Sequence, residues 1–154
     1  MDVLKQVKEI LVEQNYQEKD SLLAQLSQVL EYHHGLNETD IVEGVRLLLS
    51  AALREDNKAV REMFFSTIDT AVIHHDIGMY INWDRLVAAL PSLDKWELEY
   101  VLDILEISGQ ARHLPILKEY AHHTDPEIKE WAQEAITEIE YRVAHAPVSQ
   151  KEAV

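Results

Sequence analysis

The chain has 154 residues, 47% of them hydrophobic and 27% charged, with a formal net charge of −14 and no cysteine. That length suits about one domain with a real core, and the lack of cysteine excludes disulfides and thiolate metal sites and fits a reducing, cytoplasmic home. The acidic balance repels phosphate backbones and anionic lipids, so the expectation is a basic protein partner, with no nucleic acid and no membrane.

Only four glycines and four prolines occur, and the regular stretches are rich in Leu, Ala, Glu and Ile, which favours helix over sheet. The opening residues, Met1 to Gln6, lack a basic segment followed by an apolar core, so no secretory leader is expected. The longest apolar stretch, Leu47 to Leu53, includes Ser50 and is far too short for a bilayer span.

In chain order, Val3, Leu4, Val7, Ile10 and Leu11 mark a first helix over residues 2–14. Asp20 or Ser21 is placed to cap a second, with Leu22, Leu23, Leu26, Val29 and Leu30 as its stripe and Gly35 as its left-handed stop. A third follows Asn37 or Thr39 and carries Ile41, Val42, Val45, Leu48, Leu49 and Ala52. Asp56 is expected to cap the fourth, with Val60, Met63, Phe64, Ile68 and Val72 inward, up to His74 and His75. Asn82 or Asp84 opens a short fifth helix over 86–90, stopped near Pro91. Asp94 caps a sixth, with Leu98, Val101, Leu102 and Leu105 inward and Gly109 at its end. The seventh spans about 113–121, and Asp125 with Pro126 starts the eighth, which runs to about Tyr141. Residues 1–143 read as one helical-repeat domain and 144–154 as a flexible tail. Eight helices with short connections give four antiparallel hairpins.

Three of the second helices align on their apolar positions. Val60, Met63 and Phe64 match Leu98, Val101 and Leu102 at an offset of 38, and these match Ile128, Trp131 and Ala132 at an offset of 30. Asp56, Asp94 and Asp125 precede the three sets. One hairpin cannot bury both faces, which is why such units come in series. Over about residues 38–141 the chain resembles the HEAT-repeat family, on Asp125-Pro126 with Ile128-Lys129 and Ala132, on Val60-Arg61 after Asp56, and on Leu114-Pro115 in a first helix. The middle repeat departs, with Glu99 where the family has a base and no proline after Asp94. The resemblance implies an all-α superhelix of stacked hairpins, an α-solenoid of armadillo type, and by analogy a scaffold, adaptor or regulatory role without catalysis.

A second string, His75-Asp76-Ile77-Gly78, resembles the signature of HD-domain metal-dependent phosphohydrolases. That chemistry needs further ligands, for which His33 or His34 and Asp94, Asp103 or Asp125 are candidates, to hold a metal that activates water. Met79 and Tyr80 stand where a neighbouring base is usual. The doublets His33-His34, His74-His75 and His122-His123 all fall at expected helix C-termini, where imidazole suits the negative end of the dipole. The first two should lie on one edge of the stack and the third on the opposite edge. The expectation is therefore no metal, no cofactor and no catalytic residue. Neither a Gly-x-Ser-x-Gly turn nor a glycine-rich phosphate loop occurs.

The partner surface is expected on the second helices. Glu99, Asp103 and Glu106 share one face of the sixth helix, and Glu127, Glu130, Glu134 and Glu138 share one face of the eighth. Stacked in register, they form two acidic ridges side by side. Trp96 lies off its stripe and is a candidate anchor, Trp83 is a second half-exposed candidate at a loop-to-helix junction, and Trp131 reads as core. An inhibitor or immunity protein that neutralises a basic enzyme or toxin is the alternative within the binding class.

Overall fold

The computed structural model describes residues 2–146, and every regular element in them is helical. The eight α-helices are α1 (Val3–Val12), α2 (Tyr16–Tyr32), α3 (Glu38–Arg54), α4 (Lys58–His74), α5 (Asp84–Ala89), α6 (Lys95–Ser108), α7 (Leu114–Tyr120) and α8 (Pro126–His145). Short 3-10 turns lie at Gly78–Tyr80, Leu90–Ser92 and Ala111–His113. Ala144 and His145 thus belong to α8 rather than to the expected tail, the rest of which, 147–154, lies outside the described residues. The helices form two compact units, the first ending at Ile81 and the second beginning at Asn82.

In the first unit, α1 packs on α2, α3 on α4, α1 on α3 and α2 on α4. Asparagines cap three of its four helices, and Asp2 caps α1. Asn15, Asn37 and Asn57 each sit in extended backbone and accept a bond from the amide three residues on, at 3.0, 3.0 and 3.1 Å. Such a side chain satisfies one of the orphan donors of the first turn. Two expected caps are corrected here. α2 begins at Tyr16, ahead of Asp20 and Ser21, and the cap of α4 is Asn57 instead of Asp56. At α2 an asparagine well ahead of Asp20 takes the cap, and at α4 the residue three before the Val60 amide is Asn57, not Asp56. Gly35 does adopt a left-handed φ of +72, but beyond His33, the residue that ends α2 in extended backbone.

The core of this unit is apolar: Val7, Ile10, Leu23, Leu26, Ile41, Leu48, Phe64, Phe65 and Ile68 are all essentially sealed from solvent. Each such side chain contributes about 1.5–3 kcal/mol by burial. Met63, expected inward, is half-buried, because Phe64 and Phe65 take the inner positions of that turn. Gly44 lets α1 approach α3 closely. A Cβ there would lie 3.1 Å from the Val7 methyl. Across α2 and α4, the Ser27 and Thr67 hydroxyls bond at 2.9 Å, and His75 Nε2 donates to the Leu30 carbonyl at 2.8 Å. The C-terminal ends of α2 and α4 are therefore neighbours, so the two helices run parallel.

In the second unit, α6 packs on α8 and α7 on α8. Asp94 caps α6 in a reciprocal capping box with Glu97, and Gly109 closes it at φ +70. Asp125 caps α8 with Pro126 in the first turn, accepting from the amides of Glu127 and Ile128 at 2.9 and 3.3 Å. α6 and α8 are also parallel. Lys95 at the start of α6 meets Asp125 and Glu127 at the start of α8, and Arg142 near the end of α8 meets the Ile107 carbonyl near the end of α6. This unit buries Glu97, Ser108, Gln110 and His113 together with Trp83, Leu86, Val101, Leu105, Leu117 and Ile139.

Candidate functional site

The parallel packing of α6 and α8 brings the two acidic stripes together. Glu106 from α6 and Glu130, Gln133, Glu134, Thr137 and Glu138 from α8 line one shallow, open groove of about 480 Å³. Glu99, Glu130 and Glu134 are exposed, while Asp103, Glu106 and Glu138 are half-buried. Burial pushes the Glu106 carboxyl above the usual carboxylate range, and Asp103, Glu134 and Glu138 push it further, against a smaller opposing pull from Arg142. The groove thus holds carboxylates close enough to oppose the ionisation of Glu106.

Sequence reasoning missed the cations at its two ends. Lys95 Nζ lies 2.7 Å from Glu127 and 3.1 Å from Asp125. The same ammonium sits 5.6 Å from the centre of the Trp96 ring and 5.9 Å from that of Trp131. Bonds to Glu127 and then Asp125 raise the pKa of Lys95. Burial alone would raise that of Asp125, but Lys95 and the amides of Ile128 and Glu127 outweigh it and hold the carboxyl low. At the other end, Arg142 Nε bonds Glu138 at 2.9 Å, and its guanidinium donates to the Ile107 carbonyl. Gly109 makes room for it, since a Cβ there would come 2.9 Å from the guanidinium.

The three tryptophans fall otherwise than expected, apart from Trp96, which is 56% exposed. Trp83 is fully buried, in contrast to the half-exposed position expected of it. A junction residue looks exposed in sequence, yet here the chain turns the indole inward as it enters α5. Trp131 is half-buried rather than core, and its outer face meets Lys95.

The His-Asp string is spread out. His75 uses Nε2 to hold Leu30, Asp76 is exposed, and His33, His34 and His74 are exposed. Among the described residues no three His, Asp or Glu side chains are gathered in a geometry that could hold a metal ion. His123 Nδ1 accepts the Asp125 amide at 3.0 Å, just ahead of α8. His113, at the expected start of the seventh helix, is a buried histidine whose role the sequence does not signal. It is 3% exposed, burial depresses its pKa, and its Nε2 is without a hydrogen-bond partner.

No helix among the described residues is long and apolar enough to cross a membrane. Comparison of the chain with protein-family models, with curated proteins and with solved structures finds no match.

Proposed function

We propose that the protein is a non-catalytic interaction module that binds a basic protein through the face formed by α6 and α8. The observation that carries this reading is Glu106, a half-buried carboxyl held above its ordinary range by burial and by three neighbouring acids. Like charges packed this way work against the chain's own stability, and a cationic partner relieves them. Glu99, Asp103, Glu106, Glu130, Glu134 and Glu138 supply the complementary charge. Trp96, exposed at the N-terminal end of the same face, supplies an apolar anchor.

The finer architecture belongs to the same proposal. Parallel α2 and α4, and parallel α6 and α8, are what a HEAT-like stack requires of its second helices. We infer one α-solenoid of four hairpins. Small-angle X-ray scattering tests it, since a single elongated particle is expected and two independently moving bodies would end the solenoid reading.

The binding reading is tested by affinity capture from the native cell, with the chain and its Asp103→Lys/Glu134→Lys variant as baits, followed by surface plasmon resonance on the captured protein. Exposed charges chiefly speed association and are screened by salt, so the double reversal should slow the on-rate and added salt should mimic it. Trp96→Ala should act on the off-rate. Capture unaffected by the charge reversals and by salt would discard the acidic face as the binding surface.

A further inference from the structure

Lys95 stands in an unusual place. It is the first residue of α6 and lies against the first turn of α8, so its charge faces the positive ends of two helix dipoles. Cations are disfavoured there and carboxylates favoured. What holds the ammonium is a complete set of cation-binding groups: Asp125 at 3.1 Å, Glu127 at 2.7 Å, and the indoles of Trp96 and Trp131 at 5.6 and 5.9 Å. Rings at this range attract a cation through their quadrupole, and do so more strongly as water is excluded. Asp125 caps α8 and Glu127 lies in its first turn, where the dipole and free amides favour negative charge. The Lys95 side chain is 29% exposed and Trp96 is 56% exposed, so the assembly opens to solvent on the Trp96 side.

We propose that Trp96, Trp131, Asp125 and Glu127 form a recognition cage for a lysine side chain of the basic partner, and that Lys95 fills it until that side chain displaces it. This rests on the proposed binding of a basic protein and adds its specificity element. The groove attracts many cations, whereas the cage selects one ammonium on a flexible stem. Lys95 is a built-in competitor that keeps the four groups arranged and lowers affinity for weakly complementary partners. Once displaced, its four-carbon stem carries the charge back into solvent.

The test is a titration of labelled protein with a pentalysine peptide, followed by the indole N–H signals in NMR. Trp83 is buried and serves as the internal reference. Lys95→Met keeps the stem and empties the cage. It should bind pentalysine about fivefold more tightly than the parent chain, the size of one partly desolvated cation–π contact. The Trp96 and Trp131 signals should shift together while Trp83 stays still. Lys118→Met makes the same change of net charge at the exposed pair with Glu140, and should gain much less. Lys95→Arg, which keeps a cation in the cage, should bind no better than the parent and serves if Lys95→Met fails to fold. Equal gains in Lys95→Met and Lys118→Met, or tighter binding by Lys95→Arg, would overturn the cage. Shifts confined to the amides of Glu106, Glu134 and Glu138 would also overturn it while leaving the acidic groove as a binding face. An absence of shifts anywhere would count against both.

Discussion

The unit ending at Ile81 and the unit beginning at Asn82 are both helical, yet they differ in how many polar side chains they seal from solvent. Among the described residues, Thr67 is the buried polar side chain of the first, and its hydroxyl is satisfied by Ser27. The second buries Glu97, Ser108, Gln110 and His113 and gathers the acidic groove and the Lys95 cluster around α6 and α8. Long helices with asparagine caps and an apolar core define a region built for packing. The second unit sets two short helices, α5 and α7, beside the longer α6 and α8 and buries more polar side chains. Buried polar and charged groups cost stability unless paired, so their concentration on one side is where function is sought.

The largest effect should not tell the two apart. Phe64→Ala in α4 and Trp83→Ala before α5 each remove a sealed aromatic side chain and should each cost about 3–5 kcal/mol in urea unfolding. A loss well under this at Trp83 would mean that the second core tolerates cavities the first does not.

Helix caps should separate the regions. Asn57→Ala leaves one amide of α4 unpaired and should cost about 1 kcal/mol. Asp125→Ala leaves two amides of α8 unpaired and also strips Lys95 of a carboxylate, so its cost should exceed that of Asn57→Ala. Equal losses would show that the Lys95 contact adds nothing.

Acidification should single out the second unit. Burial, opposed by Asp84 and assisted by Arg112, holds His113 below its unperturbed value of 6.5. The unfolded chain therefore binds a proton that the folded chain resists. The stability this neutral ring contributes is present above pH 6.5 and is lost as pH falls from there toward the lower folded value. Unfolding midpoints of the parent chain and of His113→Leu should diverge on that descent, the parent falling faster. Parallel pH profiles would remove His113 from any role in acid sensitivity.

The smallest effect has the opposite sign. Glu106 has a raised folded pKa, so its ionised form opposes folding, and that opposition fades as pH falls through the folded value toward 4.5. Glu106→Gln should therefore stabilise the protein at pH 7, by no more than about 0.5 kcal/mol given its partial exposure. Destabilisation instead would show that the carboxylate makes a favourable contact within the groove.

The sequence by itself determined the helices, because apolar spacing and caps are local. All eight α-helices were legible, as were the capping box at Asp94, the Asp125-Pro126 start, the left-handed Gly109 and the shared face of Glu99, Asp103 and Glu106. Between Asp56 and Asn57 the local chemistry was ambiguous, because either side chain can cap, and in the structure Asn57 does so. Only the tertiary structure decided which residues meet. Trp83 went inside and Trp131 part-way out because burial depends on what lies opposite, and nothing near either residue in the chain records that. The parallel course of α6 and α8 brought Lys95 to Asp125 and Glu127, and Arg142 to Ile107, across gaps of about thirty residues. A charge pattern is written along one helix, but a site is made where two helices touch, and that distance is set by packing.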